Sequence, residues 1–213
     1  MPRGRRRESY YTAVGETRVR ETRSSAVITA CIGAGLALRV WQYASDVSLW
    51  FDEISIARNL TERSLGVLLT RPLGYTQIAP VGFMAAEKLA TLLIGTSDLA
   101  LRTFPFLWGI AALLLFPRVA ARIVDGAALT VSVALFAFAP PLVRYSTEVK
   151  QYGADVVVAL VLLALTLDLR KQPTTRRCAV TGALGFVFIW FSQASVLVMG
   201  GLCGALVVLW LLD

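Results

Sequence analysis

The chain has 213 residues, of which 56% are hydrophobic, and it carries a formal net charge of +7. Its mean hydropathy of +0.65 and its long apolar runs exclude an ordinary soluble domain and predict a multispanning membrane protein. Histidine is absent, which excludes Ser-His-Asp and Cys-His nucleophile systems and any zinc site that uses histidine.

The first element is a basic tail, residues 1–25, followed by an apolar run from about Ala26 to Ala44. An arginine-rich tail is typical of nucleic-acid binding. Directly before an apolar span, however, it indicates an anchor that holds the N-terminus in the cytosol, so we expect no nucleic-acid partner. The run lacks a convincing small-residue cleavage site, which predicts a retained signal-anchor helix. Arg39, near its outer end, is expected to snorkel to the lipid headgroups.

The segment 45–101 is predicted to be a long extracytoplasmic loop that contains helical pieces. It opens with the stretch SDVSLWFDEISIARNL, in which Asp52 and Glu53 follow Trp50 and Phe51. Aromatic residues favour the membrane–water interface, so at least one of these acids is expected to press against apolar surface and to suit general-base chemistry. The alternative is a solvated pair at a helix start.

The apolar stretch from Ile78 to Ile94 resembles a second span, but three features argue against crossing. It is short, Pro80 lies near its start, and Glu87 and Lys88 fall at its middle, where a charge is costly. We therefore predict an interfacial helix that lies along the membrane.

Further apolar runs predict the remaining spans. Their expected ranges are Thr103 to Ala121, Ala127 to Leu142, Tyr152 to Leu169, Cys178 to Ser192 and Ser195 to Leu212. This arrangement places most Lys and Arg, including the loop RKQPTTRR, on the cytosolic side with both termini. The predicted fold class is an all-α polytopic bundle of about six transmembrane helices in the cell membrane. The three cysteines are expected to be small buried residues rather than a disulfide or metal set.

A second acidic cluster follows Pro140 and Pro141, at the predicted second outer loop, about 142–152. Its residues Glu148, Tyr152 and Asp155 have the spacing of one helical stripe. The topology puts this cluster on the same side of the membrane as Asp52 and Glu53. Stabilisation of a helix start by acidic residues is the competing interpretation.

The outer segments also carry candidate substrate contacts. Tyr75 and Gln77 lie in RPLGYTQIAP, which the Pro and Gly also allow to be a plain surface turn. Arg102 is expected at the outer mouth of a span, as an interfacial anchor or as a ligand for a lipid phosphate. Lys150 supplies a further cation.

These motifs, taken in order, resemble the N-terminal half of a C-type (GT-C) glycosyltransferase of the family 39 kind, similar to protein O-mannosyltransferases. The resemblance covers about residues 26–170. The motifs that carry it are Trp50-x-Asp52-Glu53, Gln77-x-Ala79-Pro80, Glu87-Lys88, Leu101-Arg102-x-x-Pro105 and Tyr145-Ser146-x-Glu148-x-Lys150-x-Tyr152-x-x-Asp155.

The resemblance implies a glycosyltransferase that takes a sugar from a polyprenyl-phosphate donor and inverts the anomeric centre at the extracytoplasmic face. Asp52 would be the base or would position the acceptor. The implied catalytic residues are Asp52, Glu53, Glu148 and Asp155, and the implied substrate contacts are Tyr75, Gln77, Arg102, Lys150 and Tyr152. No cofactor is required, although a carboxylate-bound divalent cation is compatible with the acidic clusters.

Family members continue for several more spans, so the resemblance also implies either a truncated product or a partner chain that supplies them. Two alternatives remain open: a non-catalytic membrane subunit of the same fold, and a transporter of lipid-linked substrates. A transporter is expected to place ionisable groups deep within its spans. The central stretches of the later spans are almost free of charge.

Overall fold

The computed structural model describes residues 25–212, and every helix or strand assigned within that range is an α-helix. Residues 1–24 of the predicted basic tail lie outside the described residues. In chain order the helices are α1 (Ser25–Ala44), α2 (Phe51–Glu62), α3 (Leu65–Thr70), α4 (Val81–Ile94), α5 (Asp98–Ala120), α6 (Gly126–Phe138), α7 (Pro140–Arg144), α8 (Tyr152–Lys171), α9 (Thr175–Ile189) and α10 (Ala194–Leu212).

Four of these helices, α1, α5, α8 and α10, are long and apolar enough to cross a membrane. A membrane helical bundle is therefore supported, whereas the predicted count of about six spans is not confirmed. The expected third span ends early because Pro140 and Pro141 interrupt it, which leaves α6 with 13 residues. The expected fifth span corresponds to α9, which has 15 residues and begins among Arg176 and Arg177.

The bundle is organised around α5 and α8, which run parallel and approach closely. A Cβ atom on Gly109 would overlap the side chain of Ser146, and one on Gly153 would lie 3.0 Å from Trp108 Cβ. At the far end, Arg122 Nη1 lies 3.1 Å from Asp168 Oδ2. Around these two central helices, α4 and α6 pack on α5, and α9 and α10 pack on α8.

The helix α1 is attached to the bundle through polar groups near its C-terminal end. Tyr43 Oη donates to Leu99 O at 3.0 Å, and its ring stacks on Phe106 at 4.6 Å. Arg39 is 1% exposed, and its Nη1 donates to Ala137 O at 3.0 Å. The prediction that Arg39 snorkels to the headgroups is therefore wrong, because a backbone acceptor inside the bundle holds its guanidinium.

The helices α2, α3 and α4 lie between α1 and α5 in the chain, and they share an apolar core. Ile56, Leu60, Phe83 and Met84 are buried in it, together with Val149 from the segment before α8. The stretch predicted as an interfacial helix is α4, which has 14 residues and is not among the candidate spans.

Two of the cysteines differ from the sequence expectation. Cys178 and Cys203 are exposed on the helix surface, and Cys31 is partly buried. Cys178 lies in the first turn of α9. Cys203 lies on α10, in which only 6% of the most apolar 18-residue stretch is buried within the protein. Both thiols therefore face outward from the bundle.

The N-terminus of α4 docks on the end of α9, and this contact generates a stability prediction. Gly82 N donates to Trp190 O at 2.7 Å, and a Cβ atom on Gly82 would lie 2.6 Å from that oxygen. Gly82→Ala must displace backbone, so we expect a loss of about 1–3 kcal/mol, measured as a lower Tm in detergent.

The matched control is Gly66→Ala in α3, where an added Cβ meets no atom within 4 Å. This substitution removes a flexible residue from a helix and should leave the Tm equal or slightly higher, since alanine is favoured by about 0.5–1 kcal/mol. Equal Tm values for the two variants would contradict the α4–α9 contact.

Candidate functional site

A cavity of about 680 Å³ lies where the end of α1 and the start of α2 meet the early turns of α5 and the segment between α6 and α8. Four charged side chains line it, two acidic and two basic. The lining residues are Leu38, Gln42, Val47, Ser48, Trp50, Glu53, Arg102, Phe138, Pro140, Pro141, Val143, Arg144, Tyr145, Thr147 and Glu148.

Glu53 is the buried acid of the first cluster. Its Oε2 accepts from Trp50 N at 2.9 Å, which caps the start of α2, and its Oε1 accepts from Val149 N at 3.0 Å. Arg102 Nη2 lies 3.6 Å from the same Oε2, and both side chains are 5% exposed. The carboxylate thus joins α2, α5 and the segment before α8.

Asp52 is exposed and does not line the cavity. Neighbouring residues of a helix point about 100° apart, so burial of Glu53 turns Asp52 outward. Its carboxylate acts electrostatically on the Tyr152 hydroxyl, and the Tyr152 ring lies 4.8 Å from that of Tyr145, which does line the cavity. Asp52 therefore lies beside the cavity, on the α8 side.

Arg102 is 4% exposed, so the expectation of an interfacial anchor is wrong. Its guanidinium lines the cavity and pairs with Glu53. Among residues 25–212 its buried Nε has no hydrogen-bond partner. A guanidinium at a cavity wall is suited to an anionic ligand group.

Glu148 also lines the cavity, but it precedes α8 and is not on one helical stripe with Tyr152 and Asp155. After α7 the chain turns, with Lys150 N donating to Glu148 O at 2.7 Å instead of to a carbonyl four residues back. Arg144 Nε donates to Glu148 Oε1 at 2.9 Å. Burial raises the pKa of Glu148, and the hydrogen bond from Arg144 opposes that shift.

Asp155 lies one turn into α8 and is separated from the cavity. Its carboxylate is within hydrogen-bond reach of Ser192, in the connection between α9 and α10, and its Oδ1 has no hydrogen-bond partner among residues 25–212. The structure therefore brings Glu53, Arg102 and Glu148 together and leaves Asp155 on another face of α8.

The remaining predicted contacts belong to the loops. Lys150 Nζ donates to Gln77 Oε1 at 2.8 Å, which joins the loop before α4 to the segment before α8. Tyr75 is exposed; its Oη donates to Glu62 Oε2 at 2.6 Å, and this hydrogen bond raises the pKa of the phenol. Arg58 lies over its ring at 5.0 Å. Tyr75 does not line the cavity.

Arg144 is a cavity residue that the sequence analysis did not select. The available signal was its position four residues before Glu148, the spacing of an ion pair on a helix. Its side chain is 61% exposed, so its guanidinium is accessible to a ligand. Within residues 25–212, no three Cys, Asp or Glu side chains form a group that could hold a metal ion.

Glu87 of α4 lines neither described cavity and is fully buried, and both of its carboxylate oxygens lack a partner among residues 25–212. Burial raises its pKa to about 8. The neighbouring Lys88 does not neutralise it, because Lys88 Nζ donates to Leu60 O at 2.6 Å. A protonated, neutral carboxyl is therefore the form that this site favours at neutral pH.

The buried ion pair generates a stability prediction. Glu53→Gln removes the negative charge beside Arg102 and leaves a buried cation unpaired, so we expect a loss of about 3 kcal/mol and a clearly lower Tm in detergent. The control is Glu62→Gln on the same helix, whose pair with Arg58 is 50–56% exposed and should change stability by less than about 0.5 kcal/mol. Equal losses of stability in Glu53→Gln and Glu62→Gln would contradict the central role of Glu53.

The buried Glu87 carboxyl generates a prediction of pH dependence. The unfolded chain releases this proton near pH 4.5, whereas the folded chain keeps it to about pH 8. Between about pH 4.5 and pH 8 the folded state binds more protons than the unfolded chain. The free energy of unfolding should therefore fall by about 1.4 kcal/mol per pH unit as the pH rises through this range, and level off above about pH 8.

Glu87→Gln should remove that slope. Other titrating groups, including Glu148, contribute equally to the two proteins, so the difference in Tm between wild type and variant isolates Glu87. Parallel Tm curves from pH 5 to pH 8 would show that Glu87 is not a buried neutral acid.

No family model, curated protein or solved structure matches this chain. Family membership therefore has no support beyond the resemblance of the motifs themselves. The function is inferred from the cavity, its two ion pairs and the carboxylate of Asp52 beside it.

Proposed function

We propose that the chain is a membrane glycosyltransferase that moves a sugar from a polyprenyl-phosphate donor to an acceptor at the extracytoplasmic face. The observation that carries the proposal is the 680 Å³ cavity, in which Arg102 and Arg144 face the acids Glu53 and Glu148. A phosphosugar needs both kinds of group, since cations bind its phosphate and carboxylates accept hydrogen bonds from its hydroxyls.

The two arginines suit the lipid phosphate. Guanidinium groups match phosphate geometry, and the side chains of Arg102 and Arg144 both line the cavity. Arg144 is bound to Glu148 through one nitrogen, at 2.9 Å, and is otherwise accessible. As the bond between the anomeric carbon and the phosphate oxygen breaks, the phosphate leaves with the electron pair, and both cations stabilise that charge.

Asp52 is assigned as the base. Its exposed carboxylate accepts the proton of the acceptor hydroxyl, and the oxygen then attacks the anomeric carbon from the side opposite to the phosphate. Glu53 positions this base, because its bonds to Trp50 N and Val149 N hold the start of α2 against the segment before α8. Glu148, whose pKa is raised by burial, supplies a carboxyl that hydrogen-bonds the sugar.

The proposal includes a six-span arrangement of the GT-C kind, with α6 and α9 as short spans beside the four long ones. In that arrangement the basic residues after α5 and between α8 and α9 are cytosolic, and the cavity is extracytoplasmic. The helices α2 and α4 then lie at the outer membrane surface, where Lys150 and Gln77 hold the two loops together. Tyr152, whose ring contacts that of Tyr145 in the cavity wall, remains a candidate acceptor contact, whereas Tyr75 and Asp155 lie away from the cavity.

The central test is Asp52→Asn in the full chain reconstituted into proteoliposomes with a polyprenyl-phosphate sugar. Loss of the base should reduce transfer by about 10²–10⁴-fold, because an amide cannot accept the proton, while membrane insertion and Tm stay unchanged. Transfer is measured as radiolabelled sugar released from the lipid and recovered in the acceptor.

The control is Asp46→Asn, an exposed aspartate that precedes α2 and does not line the cavity. It should retain wild-type transfer. Equal transfer by wild type and Asp52→Asn would reject the assigned base. Absence of transfer by the wild type, with the donor still bound, would favour the non-catalytic alternative.

A further inference from the structure

A second, smaller cavity of about 50 Å³ lies at Arg39, between α1, α5, α6 and α8. It is separate from the 680 Å³ cavity and shares only Tyr145 with it. Its polar lining residues are Arg39 from α1, Tyr145 and Ser146 from the segment after α7, and Tyr152 from the first turn of α8. Its volume exceeds the roughly 10–15 Å³ needed for one water-sized occupant.

Arg39 is an unpaired cation in this position. Its Nη1 donates to Gly35 O and to Ala137 O, both at 3.0 Å. Ala137 O needs this donor, because its helical partner would be the N–H of residue 141, and Pro141 has none. These carbonyls are neutral, however, and no carboxylate among residues 25–212 lies within ion-pair distance of Arg39.

One donor of the guanidinium remains unused. Arg39 is 1% exposed, and its buried Nε has no partner among the described residues. A buried charge without a counter-charge is unfavourable. A further feature of the cavity favours a negative occupant: the N-terminal turn of α8, where Tyr152 and Gly153 line the wall. The carboxylates of Asp52, Glu148 and Asp155 act electrostatically on the Tyr152 hydroxyl, so the charge of Arg39, and not that hydroxyl, would attract the anion.

We propose that this cavity binds a monatomic inorganic anion of the chloride class, held by the Arg39 guanidinium and the first turn of α8. The rest of the wall is apolar, formed by residues such as Ala112, Phe136 and Val156, and the space is too small for a lipid phosphate. The bound anion neutralises Arg39 and fixes Tyr145 and Ser146. It therefore stabilises one wall of the larger cavity, independently of what that cavity binds.

The test measures Tm of the full chain in detergent with increasing sodium chloride or bromide, against sodium gluconate at equal ionic strength. Halide should raise the Tm by about 2–4 °C and the rise should saturate, as expected for one site in a chain of this size. Arg39→Gln should lose the halide-dependent shift.

The matched control is Arg118→Gln. Arg118 also donates to a carbonyl four residues back in its own helix, but it is exposed and lines neither cavity. It should keep the wild-type response to halide. If Arg39→Gln does not fold, wild-type crystals soaked in bromide provide the second measurement, with an anomalous peak expected between Arg39 and Tyr152.

Each outcome decides the proposal. A saturable halide effect that Arg39→Gln abolishes and Arg118→Gln retains, or the anomalous peak at Arg39, supports the site. Equal Tm in halide and gluconate, the same halide effect in both variants, or bromide density without a peak in this cavity overturns it. Transfer activity is not a readout, so failure of the glycosyltransferase proposal leaves this result unaffected.

Discussion

The Glu53 carboxylate holds together three parts of the chain that are distant in sequence. It accepts from Trp50 N and Val149 N and pairs with Arg102 at 3.6 Å. Glu53, Val149 and Arg102 are buried, so the bond to Val149 N and the ion pair form in a region of low dielectric, and a missing partner would leave an uncompensated polar group. Together with the apolar core that α2 shares with α3 and α4, this side chain fixes the position of α2, and with it Asp52.

The protein accommodates its other buried ionisable groups in different ways. Glu87 is favoured as a neutral acid because burial raises its pKa to about 8, so no counter-charge is required at neutral pH. An arginine has no comparable option, since guanidinium remains charged in proteins. Arg39 therefore makes use of the backbone carbonyl that Pro141 leaves without a donor. The same proline pair that ends α6 thus creates the acceptor that holds α1.

The placement of charge bears on the choice between enzyme and transporter. The ionisable residues of the larger cavity lie in connections and first turns: Glu53 at the start of α2, Arg102 in the second turn of α5, and Arg144 and Glu148 between α6 and α8. The middles of α5, α8 and α10 carry no charge. A transporter concentrates such groups at the midplane of the membrane, whereas an interfacial enzyme concentrates them at one end of the bundle.

Sequence alone identified α1, α5, α8 and α10, because each is a long apolar run, and hydropathy acts over about 20 residues without regard to neighbours. It also selected the two acidic segments that line or flank the larger cavity. It did not predict which of Asp52 and Glu53 is buried, and it placed Glu148 on α8 and Arg39 among the headgroups. Those features depend on contacts with residues such as Val149 and Ala137, about a hundred positions away, and only the folded chain brings such partners within hydrogen-bond distance.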